Sequence, residues 1–352
     1  MRERRTILER WRRGGAAALV TLVRVEGSSY RRTGARMLIS GDGGYAGAIS
    51  GGCLEAEVVR KAVWKVRAGA VMERFSTLFD DTAEIPYGLG CGGTVDLLLE
   101  PAETEEFTAL MEALEASLRG EVRRVVTQLP ENGLPLRRVV LDADGTVIAG
   151  DATVLSLGGG RVFEEWLEAP QRLLLCGAGD DAQPVVKMAS LLGWNVTVLD
   201  GRSQWATRER FPEASSVRVA SSLDGINVGE SDAAVVMTHS YEQDRRWLTA
   251  LLPERPRYLG LLGARHRSAL LVSEAAAMLS WDVERVCERI FAPVGLDLGG
   301  DGADAIALAV VAEIQACCEG KLGVSRRMSA ESVAEQIALG GASRYLQTQC
   351  AL

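Results

Sequence analysis

Apolar residues first gather at positions 16–25, a Val- and Leu-rich run broken by Thr21 and Arg24 that predicts a buried strand behind a charged, helical segment ending near Trp11. Shorter apolar stretches at 36–39 and 45–49 flank Gly41-Asp42-Gly43-Gly44, a hairpin signal. At 54–68 the spacing turns helical, with Leu54, Val58, Ala62 and Val66 on one face. Strands are expected at 75–79 and 94–99, a helix at 102–118, and strands at 122–128 and 139–148 around Pro130, Gly133 and Pro135. Gly158-Gly159-Gly160 and Pro170 bracket a linker.

From Gln171 the pattern alternates between short apolar runs and helical spacing. Strands are expected at 172–176, 195–199, 217–220, 233–237 and 258–262, with helices at 182–192 and 245–252. A long apolar helix at 302–319 starts behind Asp301 as its cap, and a short helix is expected at 332–339. Such alternation predicts an α/β fold with a parallel sheet covered on both faces, a Rossmann-like doubly wound domain. The expected division is an N-terminal α/β domain at 1–165, the Rossmann-like domain at 166–320 and a tail at 321–352.

Composition narrows the function classes. The chain of 352 residues carries a net charge of −8, which argues against nucleic-acid binding, since phosphate contacts need a basic face. No signal peptide or membrane span is read, so the expected compartment is the cytoplasm. Seven cysteines, an odd number with no C-x-x-C, predict thiols rather than a disulfide framework. With two histidines and no C-x-x-C, nothing offers the four well-spaced ligands of a structural zinc site.

Candidate chemistry sits in glycine turns. Gly177-Ala178-Gly179-Asp180-Asp181-Ala182 matches G-x-G-x-x-A between a strand and a helix. Gly177 permits the tight turn, Gly179 lets a pyrophosphate approach, and Ala182 is small enough for the helix to pack on the strand. Asp200, ending the next strand, suits a ribose hydroxyl, and Arg202 suits a 2′-phosphate or offsets the acids Asp180 and Asp181. These residues point to NAD(P) or another nucleotide, or to a Rossmann scaffold with a degenerate pocket. His239, Gly263 and Arg265 fall at the carboxyl ends of later strands, where such a fold holds its ligand, and Arg265 and Arg267 could meet a phosphate. For His239 a core histidine satisfied by the backbone is the alternative. In the first half, Cys53 follows Gly51-Gly52 just before a helix, a position that favours thiolate, and Cys91 lies between Gly90 and Gly92.

Several motifs then occur in order. Val25-Glu26-Gly27-Ser28-Ser29-Tyr30-Arg31-Arg32, Gly34-Ala35-Arg36-Met37, Ser50-Gly51-Gly52-Cys53-Leu54-Glu55 and Gly90-Cys91-Gly92-Gly93 resemble the N-terminal domain of the XdhC/CoxI family. The glycine turn, Thr238-His239-Ser240-Tyr241-Glu242-Gln243-Asp244, Gly260-Leu261-Leu262-Gly263 and Ala292-Pro293-Val294-Gly295-Leu296-Asp297 are similar to that family's Rossmann domain. Asp180 stands where some members carry histidine, and His266 where many carry arginine. The resemblance implies a chaperone that binds the molybdenum cofactor, in its molybdopterin or dinucleotide form. Such a protein assists the sulfuration and insertion of the cofactor into a molybdenum hydroxylase. The implied clients are the large subunits of xanthine dehydrogenase, aldehyde oxidoreductase or CO dehydrogenase type enzymes, the implied sulfur donor is a cysteine desulfurase, and a homodimer is expected. On this reading Cys53 and Cys91 relay sulfur or contact molybdenum, and Arg31, Arg32 and Arg36 meet the phosphate, beside Gly51, Gly52, Gly90 and Gly92. The competing reading is an NAD(P)-dependent oxidoreductase with His239 as acid or base. It leaves the two cysteine loops without a role.

Overall fold

A computed structural model describes residues 1–76, 93–131, 133–156 and 161–323. The chain divides into two compact units between Ala169 and Pro170, a few residues beyond the expected boundary.

The first unit runs through α1 (Arg2–Arg12), β1 (Ala16–Glu26), β2 (Arg36–Ser40), β3 (Tyr45–Gly47), α2 (Glu55–Lys65), β4 (Val71–Ser76), β5 (Thr94–Pro101) and α3 (Glu105–Leu118). It continues through β6 (Arg123–Gln128), β7 (Arg137–Leu141), β8 (Val147–Gly150) and β9 (Val162–Leu167). Two antiparallel sheets result, ordered β3-β2-β1-β5-β4 and β8-β7-β6-β9. The largely apolar run of β1 is explained by burial on both faces. Ala18, Val20 and Leu22 meet Val58 and Ala62 of α2. Leu19 points the other way, onto Ile7 and Leu8 of α1 and Phe107, Leu110 and Leu114 of α3. Thr104 caps α3 by accepting the Phe107 amide (3.1 Å). A buried ion pair ties the sheets together: Arg138 of β7 donates to both oxygens of Glu100 on β5 (2.8 and 3.0 Å).

Three expectations change here. The stretch read as linker contains β9, which pairs with β6 from Val162 opposite Gln128 to Leu167 opposite Arg123. Its Glu164-Glu165 pair broke the apolar pattern, and the neighbouring glycines suggested a linker instead. The single strand expected at 139–148 is the hairpin β7–β8, turned where Asp142 accepts the amides of Asp144 and Thr146. The strand expected at 75–79 begins earlier, at Val71, and 77–79 lie outside the described residues.

The second unit alternates regularly: β10 (Arg172–Cys176), α4 (Ala182–Leu191), β11 (Asn195–Asp200), β12 (Ser216–Val219), β13 (Ala233–Val236), α5 (Tyr241–Glu254), β14 (Tyr258–Leu261), α6 (Arg265–Leu279), α7 (Val283–Cys287) and α8 (Ala303–Cys318). The five strands are all parallel, in the order β12-β11-β10-β13-β14. Side chains alternate across the sheet. Leu173, Leu175, Val196, Val198 and Val235 pack on α4 and α8, while Leu174, Cys176, Leu199, Val236 and Leu261 pack on α5 and α6. The strand order reverses between β10 and β13, which opens the crevice where doubly wound folds place ligands. Helix α8 has Gly302 (φ 89°) at its N-cap and no side-chain cap, so Asp301 does not serve as one. The short helix expected at 332–339 lies outside the described residues, and no helix among those described is long and apolar enough to cross a membrane.

Candidate functional site

In the first unit, the chain leaves β3 and reaches α2 through Ser50-Gly51-Gly52-Cys53, with Gly52 at φ 109°. Glu55, in the first turn of α2, reaches back and accepts the amides of Ile49 (3.1 Å) and Ser50 (2.8 Å) and the Ser50 hydroxyl. Ser50 Oγ in turn accepts the amides of Gly52 (3.2 Å) and Leu54 (3.1 Å). Burial opposes the charge of Glu55, but the Ser50 hydroxyl and the amides of Ser50 and Ile49 outweigh it and hold the carboxyl below its usual range. The turn is therefore rigid, and Cys53 stands half-buried at its end with Sγ 3.4 Å from Ser50 Oγ. Cys91, Gly90 and Gly92 lie outside the described residues.

Gly51 packs under the ring of Tyr30, whose nearest atom would lie 3.5 Å from a Cβ at Gly51. Tyr30 in turn lines a cleft of about 390 Å³ with Glu3, Arg4, Arg31, Arg32 and Arg36. Thus the structure brings the predicted arginines beside the Cys53 turn. It also shows that two of them are already paired. Arg31 forms a two-pronged ion pair with Glu3, one limb 2.9 Å long. Arg36, only 6% exposed, pairs with Glu165 and donates to the carbonyl of Gly34 (2.9 Å). Arg32 is exposed, and its guanidinium makes no hydrogen bond or ion pair among the described residues. Arg4, missed in the sequence, comes from α1 and donates to Ser117 Oγ (2.6 Å) and the Glu168 carbonyl (2.9 Å). Burial, then the nearby Arg36 charge, lowers its pKa to about 10. Nothing in the sequence pattern marks Arg4 off from the other charges of an exposed helix face.

The glycine turn of the second unit has the backbone of a nucleotide site and unsuitable side chains. Gly177 (φ 129°) lies so close to β13 that a Cβ there would collide with the Met237 carbonyl oxygen. Ala182 is fully buried between helix and sheet, as its size requires. Asp200, however, is saturated. Its Oδ1 accepts the Arg202 amide and Nε (both 2.9 Å), and its Oδ2 accepts the Ala178 amide (2.9 Å) and Arg202 Nη2 (2.7 Å). A carboxylate has about four lone-pair positions. None remains for a ribose hydroxyl, Arg202 is not free for a 2′-phosphate, and the Ala178 amide is not free for a pyrophosphate. Burial opposes the Asp200 charge, and the Arg202 contacts outweigh it and hold the carboxyl below its usual range.

The mouth of this turn is acidic. Asp181 Oδ1 would lie 2.5 Å from a Cβ on Gly179, so its carboxylate occupies the approach that this glycine would leave to a phosphate. His239 Nε2 meets Asp181 Oδ2 at 2.7 Å. His239 is 60% exposed, at φ 61°, and so is not a core histidine. Arg210, also unforeseen, donates to Asp180 (2.9 Å) and to the Ala178 carbonyl (3.2 Å). Arg267 is engaged too, pairing with buried Asp244 (2.5 Å) below Gly263, whereas exposed Arg265 has no ion-pair partner among the described residues. Among the described residues no cluster of His, Cys, Asp or Glu could hold a metal ion.

The fold and site define a two-unit α/β protein: a thiol turn beside an arginine-lined cleft in one unit, a parallel Rossmann sheet in the other. The chain belongs to the XdhC/CoxI family, with the XdhC and CoxI family model matching residues 10–76 and the XdhC Rossmann domain matching residues 173–314. It is 29% identical to a probable xanthine dehydrogenase subunit from Bacillus subtilis, covering 85% of this chain and 92% of that protein. It is 28% identical to the molybdenum cofactor insertion chaperone PaoD from Escherichia coli, covering 86% of this chain and 83% of that protein. A crystal structure described as a xanthine dehydrogenase from Bacillus halodurans superposes with a TM-score of 0.78 at 26% identity, over 94% of this chain and 99% of that one.

Proposed function

We propose that this chain is a molybdenum cofactor chaperone that holds the cofactor and assists its insertion into a molybdenum hydroxylase of the xanthine dehydrogenase type. The likeness to PaoD over 86% of the chain supports the class of function. One observation carries it to residues: Cys53 ends a turn that packs, through Gly51 and Tyr30, against an arginine-lined cleft. A soft sulfur ligand next to cations is the donor set that an anionic, sulfur-rich molybdenum centre requires. When bound, the cofactor supplies that centre and a phosphate arm. The chain supplies Cys53 as the thiol contact, Ser50 and Glu55 as the frame that aims it, and the arginines as counter-charge. The finer parts of the proposal are sulfur relay through Cys53 and Cys91, with sulfur delivered by a cysteine desulfurase, and a homodimer.

The NAD(P)-dependent oxidoreductase reading draws less support, because Asp200 is saturated and Asp181 fills the phosphate approach. The deciding experiment loads wild type, Cys53→Ser and Cys91→Ser with molybdenum cofactor and measures retained molybdenum after gel filtration together with activation of a client hydroxylase. Retention in Cys53→Ser is expected to fall at least about tenfold, the loss of roughly 1.4 kcal/mol of binding. Unchanged retention and unchanged client activation in both variants would remove the thiol mechanism.

A further inference from the structure

We infer that the cleft between α1 and the 30–36 loop is a seat for a phosphate monoester carried on a flat ring, with Arg4 and Arg32 binding the phosphate and Tyr30 stacking on the ring. This deepens the proposed function, since the pterin phosphate of the cofactor belongs to that class.

Charge counting gives the first reason. Of the four arginines lining the cleft, Arg31 is neutralised by Glu3 and Arg36 by Glu165, while Arg4 donates only to neutral oxygens and Arg32 has no carboxylate partner. With Glu165 and Glu168 acting on Arg4 only at a distance, these two guanidinium groups suit a phosphate monoester, which carries close to two negative charges at neutral pH. The second reason is an unmet donor: Arg36 is more than nine-tenths buried, and its Nε has no acceptor. A buried N–H without a partner costs about 1–3 kcal/mol, so one of the guanidinium groups lining the cleft keeps an unmet donor. The third reason is shape. Tyr30 is 74% exposed although its ring is braced against Gly51, so a large aromatic surface is held at the rim, on the side of the Cys53 turn.

Calorimetric titration of the full chain with inorganic phosphate and with phenyl phosphate tests this seat. Arg32→Gln and Arg4→Gln should each weaken both probes about tenfold, the loss of one charge-assisted contact. Tyr30→Ala should weaken phenyl phosphate about fivefold and leave inorganic phosphate unchanged. Arg32 is exposed, so its variant stays informative if the variant at half-buried Arg4 fails to fold. Displacement of phenyl phosphate by molybdopterin assigns the seat to the cofactor, and displacement by guanosine monophosphate alone assigns it to a nucleotide. Displacement by neither, absence of binding to wild type, or unchanged affinity in Arg32→Gln overturns the inference. These probes contain no molybdenum or sulfur, so their failure is separable from failure of the Cys53 experiment.

Discussion

Two glycine turns each lead into a helix, and they have opposite electrostatic character. At Gly51-Gly52-Cys53, the acid Glu55 turns inward and is consumed by the amides of Ile49 and Ser50, while the neighbouring cleft is rich in arginine. At Gly177-Ala178-Gly179, the acids Asp180 and Asp181 stay at the mouth, with Asp200 locked beneath it. The comparison separates two things that a glycine motif merges. Glycine decides whether a ligand could approach the backbone. The side chains around it decide what sign of charge that ligand may carry.

The sharpest way to break this comparison is to add a Cβ to each turn. At Gly177 alanine meets both an unfavourable φ and the Met237 carbonyl, so Gly177→Ala should destabilise the second unit by about 2–6 kcal/mol. At Gly52 nothing lies within 4 Å of the added Cβ, so Gly52→Ala should cost the strain alone, about 1–3 kcal/mol. Urea midpoints read by circular dichroism check both, and equal losses would show that the two turns are held equally tightly.

A smaller effect concerns pH. The Asp200 carboxyl is held below its ordinary value of 3.8 in the folded chain. Its stabilisation is therefore complete above that value and fades as pH falls through the lower, folded pKa. Asp200→Asn should cost about 1–3 kcal/mol at pH 7, and the gap from wild type should close in acid below the ordinary value. A gap independent of pH would mean that the ion pair with Arg202 contributes nothing. The smallest effect is an expected near-absence of binding. NADH and NADPH should show no saturable fluorescence change up to about 1 mM, which corresponds to under about 4 kcal/mol of binding. Asp181→Ala should raise the affinity of the turn for pyrophosphate, and saturable micromolar NADH binding by wild type would reverse the contrast between the turns.

Much of the architecture was legible in the residue pattern, for physical reasons. Strand β1 announced two-sided burial by its largely apolar run, and the Rossmann unit announced itself by alternation and by Gly177, Gly179 and Ala182. Strand β9 was hidden because its glutamates face polar partners. Glu164 pairs with Arg124 (2.7 Å) and Glu165 with Arg36, so neither residue reads as part of a sheet that buries apolar surface. Arg4 and Arg210 were invisible because their sites are assembled from residues far apart in sequence.

By itself, the order of residues determined the two-unit α/β plan, the positions of both glycine turns and the thiol at Cys53, because these follow from local periodicity and backbone freedom. Only the tertiary structure decided which charges are spent and which remain. Glu165 reaches Arg36 across 129 residues and Asp200 reaches Ala178 across 22, and pairings at such separations are set by packing, which no local pattern encodes.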